Sequence, residues 1–296
     1  MILDRVKGTV FLCLTGLGAA GNILVLVSYM HMFQSTEQKP IHLILAHLAL
    51  TNITMLLSKG MLKTIEAFNF GNFLDDTTCK VVVYLSRVSR GLSLCTSSLL
   101  TVVQAITISP KQSMWQRLKL RTPQHIFSLL LFLWILNSLI SMNLPYYVKN
   151  INSVNITQGK ITESYCYFIP ESWIIRWVFL TLMVLRDAVF QGVMGGASGY
   201  MVFLLHKHHQ HILYLQNSKI LYRTPPELRA AQSVLLLMVC FFFYWADCFI
   251  CLYITLTIEN YSTELYIPEF LTLGYAVLSP FMLIHRDRHL TKYCHT

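Results

Sequence analysis

Long apolar runs separated by short polar gaps fill this chain almost from end to end. The runs lie at Val10–Met32, Ile41–Ala67, Cys79–Ile108, Ile126–Leu144, Trp177–Leu205, Ala230–Thr257 and Pro268–Ile284. A bilayer core of about 30 Å takes roughly 20 apolar residues as helix. In hydrocarbon, a spanning segment must satisfy its own backbone groups, so these runs predict helices. Membrane β-strands would show segments of about 10 residues alternating in polarity, a pattern absent here. The expectation is an all-α membrane protein, a seven-transmembrane helix bundle, with 1–296 forming a single domain.

The first run resembles a secretory signal only in part. Lys7 precedes it and Ala19-Ala20-Gly21 would pass for a cleavage site. The run continues through Leu24-Val25-Leu26-Val27 to Met32, longer than the 7–15 residues typical of a signal peptide. It reads as a retained helix after an extension of about nine residues.

Composition sharpens the membrane reading. The chain is 54% hydrophobic and only 12% charged, with a mean hydropathy of +0.52. An ordinary soluble domain carries about 25% charged residues. The net charge of +9 sorts by side once the loops alternate. One side collects Lys39, Lys111, Arg117, Lys119, Arg121, Lys207, Lys219, Arg223, Arg229, Arg286, Arg288 and Lys292, with Glu37, Glu227 and Asp287. The other side carries more acids than bases, among them Asp4, Asp75, Asp76, Glu163, Glu171, Glu259 and Glu264. The positive-inside rule places the basic side in the cytosol. The N-terminus is then extracellular, the C-terminus cytoplasmic, and the protein multi-pass in the plasma membrane. The positive charge marks topology and gives no ground for a nucleic-acid partner. Asn155-Ile156-Thr157 is a glycosylation sequon on the predicted outside, and Asn260-Tyr261-Ser262 is a second. Asn52-Ile53-Thr54 falls inside a span and is set aside.

Of the eight cysteines, Cys13, Cys95, Cys240, Cys248 and Cys251 lie inside spans, where cysteine packs as a small hydrophobe. Cys294 is on the cytosolic side. Cys79 and Cys166 are the two placed outside, in an oxidising compartment. A bridge between them would pin the loop after the fourth span over the bundle.

Ionisable groups within spans are costly and point to function. They are Lys59, Arg87, Arg90, Arg186, Asp187 and Asp247. Arg87 and Arg90 are three apart and share a helix face. With Cys79 at the outer rim, they lie about 12 and 16 Å deeper at 1.5 Å per residue. One reading has these cations meet an anionic or strongly hydrogen-bonding ligand. The other has them pair with Asp187 and Asp247 across helices. Arg186 and Asp187, being adjacent, are expected to point apart and not to pair. Tyr84, Tyr244 and Trp245 join them as candidate pocket residues, as an apolar cavity with a few placed polar groups requires. His208, His209 and His211 form a cluster in a cytosolic loop, but a helical His-Glu-x-x-His metal motif is absent. No metal, cofactor or catalytic constellation is expected, and no enzymatic activity.

Seven spans, an outside N-terminus and the Cys79–Cys166 bridge together resemble a G-protein-coupled receptor. Gly21-Asn22 and Trp134 look like rhodopsin-type marks. Other such marks are replaced: Asn52 stands where an Asp is usual, and Val103-Gln104-Ala105 stands for Asp-Arg-Tyr. The sixth span, Phe243-Tyr244-Trp245-Ala246-Asp247-Cys248, has no proline. Thr101 through Pro110, His42 through Leu48, Phe70 through Asp76 with Cys79, and Ser279-Pro280 through Asp287 resemble vomeronasal type-1 receptors. The resemblance runs from Gly21 to Asp287. It implies a chemosensory receptor for a pheromone-like or odorant-like small molecule, coupled to a Gi/Go-type heterotrimeric G protein. The G-protein face would include Gln104, Lys111, Arg117, Lys119, Arg121, Arg223 and Arg229. Bitter-taste-type receptors are similar in length, but the cysteine pair and the exit of the third span argue against them. A transporter would show inverted repeats and broken helices at the midplane. No repeat is present, although Gly192, Gly195, Gly196 and Gly199 interrupt the fifth span. Oligomeric state is not legible.

Overall fold

A computed structural model describes residues 2–35, 40–68, 75–109, 123–150, 166–168, 173–215, 246 and 266–286. Helix α1 spans Ile2–Ser35 and α2 spans Pro40–Met55. A π-helical turn at Leu56–Gly60 carries α2 directly into α3, Met61–Ala67. Helix α4 is Asp76–Ile108, α5 is Pro123–Ile140 and α6 is the short Leu144–Tyr147. Strands β1 (Val148–Asn150) and β2 (Cys166–Phe168) pair antiparallel, with Val148 opposite Phe168 and Asn150 opposite Cys166. Helices α7, Trp173–Leu215, and α8, Tyr266–Arg286, complete the described elements.

Five of the described helical stretches are long and apolar enough to cross a membrane: Arg5–Phe33, Ile41–Ala67, Asp76–Ile108, Gln124–Tyr147 and Trp177–Lys207. Leu273–Ile284 is a shorter apolar stretch inside α8. The predicted span at Ala230–Thr257 lies outside the described residues apart from Ala246. Two expectations about extent are corrected. Helix α1 begins at Ile2, so the expected nine-residue extension is already helical; Thr9 Oγ1 donating to Arg5 O at 2.8 Å ties its first turns. Helix α7 overruns its predicted span at both ends, because Lys and His residues do not stop a helix and no proline intervenes.

Helix α4 is the central one. It packs against α2, α5 and α7, and 72% of its most apolar stretch is buried, against 28% for the corresponding stretches of α5 and α7. Its start is set by Asp75, whose extended backbone and side chain cap the first turn, Thr78 N donating to Asp75 Oδ1 at 2.9 Å. Its end falls at Ser109, whose extended ψ of 140° fits a residue that precedes proline. Helix α1 lies against α2, α3 and α8.

Leu17, Val27, Phe127, Phe132, Ile135, Leu185, Val189 and Phe203 on α1, α5 and α7 are exposed. In water such surface would be an aggregation hazard; on a spanning helix it meets lipid tails. Inside, Ile44, Leu45, Leu48, Leu92, Leu94, Leu100, Ile126 and Met194 form the principal core. The predicted bridge is present: Cys79 and Cys166 are joined, with Cα atoms 5.5 Å apart. It fixes β2 to the N-terminal end of α4, beside buried Leu144 and Val148. The β1–β2 pair itself was not foreseen, since three-residue strands are too short to show a period.

Candidate functional site

Three polar clusters are embedded in the apolar bundle. The first is neutral and joins four helices. Pro280 interrupts α8 and cannot donate to the carbonyl of Ala276, four residues back. Asn22 Nδ2 supplies that donor at 2.8 Å, and its other proton reaches Gly18 O at 2.8 Å. Gly21 makes the approach possible, because a Cβ there would lie 3.1 Å from the Pro280 ring. Asn52 then donates to Ser279 Oγ at 3.0 Å and to Asn22 Oδ1 at 3.3 Å, while Ser93 Oγ donates to Asn52 Oδ1 at 2.7 Å. Every donor and acceptor of the two amides is engaged, as a buried polar group requires. One turn on, Ser97 Oγ and Tyr275 OH lie 2.8 Å apart.

The second cluster joins α2, α4 and α5. Trp134 Nε1 donates to His47 Nε2 at 2.9 Å, and His47 Nδ1 meets Thr96 Oγ1 at 3.0 Å. An indole N–H can only donate, so His47 Nε2 accepts and the ring proton sits on Nδ1, facing Thr96. The rings stand edge to face, with centroids 6.1 Å apart.

The third cluster is charged and lies along the seam between α4 and α7. Arg186 donates from Nε and Nη2 to one oxygen of Asp187, Oδ1, at 2.8 and 2.6 Å. The expectation that these neighbours do not pair is therefore wrong. Adjacent side chains leave a helix in different directions, but the arginine side chain is long enough for its guanidinium to reach the carboxylate of the next residue. Arg186 Nη1 donates to Asn137 Oδ1 on α5 at 2.9 Å, and Asn137 Nδ2 is anchored on Leu133 O at 2.8 Å. Gly91 on α4 makes room, since a Cβ there would overlap both Asn137 Oδ1 and the Arg186 guanidinium. The second oxygen of Asp187, Oδ2, faces Arg90 Nη2 at 3.6 Å. Nearer the N-terminus of α4 on the same seam, Arg87 Nη1 donates to Met183 Sδ at 2.7 Å.

The structure thus brings together Arg87, Arg90 and Asp187 of the predicted pocket. Tyr84, one turn before Arg87 on α4, packs against the principal core. Lys59 is half-buried on the π-turn between α2 and α3. The π-turn brings Gly60 against Thr15 of α1, where a Cβ would overlap the threonine hydroxyl. Lys63, on the next turn, pairs with Glu66 at 2.7 Å. Gln104 is buried near the far end of α4, where Ser109 Oγ and Tyr200 OH lie 3.1 Å apart. Tyr244, Trp245 and Asp247 lie outside the described residues, as do Asn155, Lys111, Arg117, Lys119, Arg121, Arg223 and Arg229.

Asn137 and Gly91 were missed from the sequence. Asn137 carried a usable signal: it is an amide in an otherwise apolar run, three residues after Trp134. Gly91 carried none, because its role depends on what crosses it.

A multi-pass helical membrane protein with a disulfide-bridged hairpin and polar groups between its helices is a receptor-like bundle. The sequence profile of the vomeronasal organ pheromone receptor family matches residues 6–296. Olfactory receptor class A-like protein 1 of Danio rerio is 31% identical over 291 residues, covering 96% of this chain and 90% of that protein. Vomeronasal type-1 receptor 4 of Homo sapiens is 32% identical over 283 residues, covering 95% and 94%. Vomeronasal type-1 receptor 100 of Rattus norvegicus is 33% identical over 287 residues, covering 94% and 85%. The chain belongs to the vomeronasal type-1 receptor family and is a chemosensory receptor, not an enzyme.

Proposed function

We propose that the chain is a seven-transmembrane pheromone or odorant receptor that binds a small molecule between its helices and activates a Gi/Go-type G protein. The single domain covers 1–296, with the N-terminus extracellular and the C-terminus cytoplasmic. Asn155 carries a glycan on the outer loop. The observation that carries the ligand site is the charged seam: Arg87, Arg90 and Asp187 sit within the bundle at the depth where an outside ligand would reach. Tyr84 contributes an aromatic wall on the outward side. Lys59, Tyr244, Trp245 and Asp247 are the remaining pocket candidates.

Ligand binding would favour one arrangement of the helices over another and shift the population toward it. Gln104 and the basic loop residues Lys111, Arg117, Lys119, Arg121, Arg223 and Arg229 form the surface that meets the G protein. The same basic loops lie beside anionic lipid headgroups, which adds attraction to the inner leaflet. Gln104 is neutral, so an ionic lock through an arginine at this point cannot form.

The test is nucleotide exchange on a purified Gi/Go heterotrimer by the receptor in nanodiscs, against a panel of volatile and steroid-like molecules. The expected result is ligand-dependent exchange that Arg90→Ala abolishes in a folded, Cys79–Cys166 bridged protein. Absence of exchange with every ligand from folded wild type would leave the fold standing and remove the signalling claim. Substrate flux into vesicles without any G protein would instead revive a transporter.

A further inference from the structure

Two buried groups, four residues apart on α7, are each left short of a hydrogen bond. Asp187 is 3% exposed and gives Oδ1 to Arg186, but its Oδ2 accepts no hydrogen bond among the described residues. That oxygen faces Arg90 Nη2 at 3.6 Å, a charge contact beyond hydrogen-bond range. Gln191 is 5% exposed, and its Nε2 has no hydrogen-bond partner among the described residues. A buried amide N–H without an acceptor is costly, so such a group calls for an explanation. Helix α4 does not supply the acceptor. It runs beside α7 in the same direction, with Arg87 level with Met183, Arg90 with Asp187 and Ala105 with Met201. The offset hardly changes along the pair, which sets Gln191 level with Leu94 and Cys95. Leu94 has no polar side-chain atom, and the Cys95 sulfur already takes Asn137 Nδ2 at 3.7 Å. The acceptor that matches is on α7 itself. A helical side chain leans toward the N-terminus of its own helix, so Gln191 leans toward Asp187. A glutamine and an aspartate four apart on a helix can hydrogen-bond to each other.

We propose that Asp187 Oδ2 is a two-position latch between α4 and α7, with Gln191 as its second partner. In the arrangement described above, the charge of Arg90 holds the oxygen, and the two helices are tied at this height. In the other, Gln191 changes rotamer and Nε2 donates to Oδ2. The tie to α4 is then dropped, while α7 keeps the pair to itself. The Arg186–Asp187–Asn137 clamp is common to both, because it uses Oδ1 alone. Arg90 also interacts elsewhere, so the exchange leaves no bare guanidinium. The first arrangement leaves the Gln191 donor unmet, and the second gives up one charge contact. Two modest terms set against each other keep both populations within reach of a small bias. The latch itself needs neither a ligand nor a G protein.

The test is a double-mutant cycle read from the thermal midpoint of the full, bridged chain in phosphatidylcholine nanodiscs, with no ligand added. Methionine is the substitute at both positions, being unbranched, apolar and close in length to the side chains it replaces. Gln191→Met removes an unmet donor and should raise the wild-type midpoint by roughly 2–4 °C. In Arg90→Met, Gln191 has already taken Oδ2. Adding Gln191→Met there should lower the midpoint by a similar amount. That reversal of sign between the two backgrounds is what the latch requires. A glutamine that only packs, or that is held by a buried water, gives Gln191→Met the same sign in both, which overturns the proposal. No change in either background overturns it as well. Should Arg90→Met fail to fold, Arg90→Lys serves as the background, since it keeps the charge on a shorter side chain and loosens the hold on Oδ2. The gain from Gln191→Met should then be smaller than in wild type, and an equal or larger gain overturns the latch.

Discussion

The amide cluster around Asn52 and the charged cluster around Asp187 are both polar islands in an apolar bundle, yet they are built on opposite principles. Around Asn52, neutral groups from α1, α2, α4 and α8 reciprocate one another completely. No charge is desolvated, and the α8 carbonyl left unpaired by Pro280 is what recruits Asn22. Around Asp187, three arginines line one seam, and two of them share its carboxylate with unequal geometry. A neutral, satisfied network fixes helix positions at modest cost. A buried charge cluster is costly to assemble and strongly destabilised by removing one member. The first arrangement suits a joint and the second suits a place where something binds.

The comparison breaks most visibly at Arg186. Replacing it by leucine leaves Asp187 buried with its firmest partner gone, and unfolding stability should fall by about 3–5 kcal/mol. The double variant Arg186→Leu with Asp187→Leu should recover most of that loss. Thermal or SDS-induced unfolding in micelles measures both. A loss below about 1 kcal/mol for the single variant would show that the charged seam is no costlier to disturb than an ordinary surface position.

Ser93→Ala is the matching cut in the neutral cluster. It removes the donor to Asn52 Oδ1 and should cost about 1–3 kcal/mol, the penalty of one buried unmet acceptor. Its effect on ligand-driven exchange should be uniform across anionic and neutral compounds, whereas changes at Arg90 should alter their ratio. A selective effect of Ser93→Ala on anionic compounds would erase the distinction between joint and site.

The smallest effect is expected outside the membrane, at Asp75. Hydrogen bonds from the side chain and then the backbone N–H of Thr78 hold its carboxyl below the ordinary value of 3.8. A depressed native pKa contributes stability that is present above the unfolded value and is lost as pH falls through the native one. Wild type should therefore lose thermal stability on acidification below about pH 4. Asp75→Asn, which keeps an acceptor but cannot titrate, should lose less. Parallel melting curves for the two proteins across that range would sink the capping account.

How much of this was legible in the sequence divides along the same line. The spans of α1 through α7 were visible because lipid imposes a length and a polarity on every crossing segment. The Cys79–Cys166 bridge followed from counting which cysteines face an oxidising side. Gly21, Asn22, Asn52 and Trp134 stood out as residues, but their partners did not. That Asn22 caps Ala276, or that Trp134 fixes the proton of His47 on Nδ1, depends on helices far apart in sequence meeting at one height. The pairing of Arg186 with Asp187 runs against helix periodicity, which describes the directions in which side chains leave the helix and not where a long guanidinium ends.

Local composition and residue order are enough to make this a helical membrane protein of the vomeronasal type-1 receptor family, since hydropathy and family motifs are carried along the chain. Tertiary structure decided which charges share a carboxylate, why position 91 is glycine, and which amide completes a proline-broken helix. Those are properties of crossing helices. Their physical cause is that a buried polar group takes the nearest partner in space, whatever its distance along the chain.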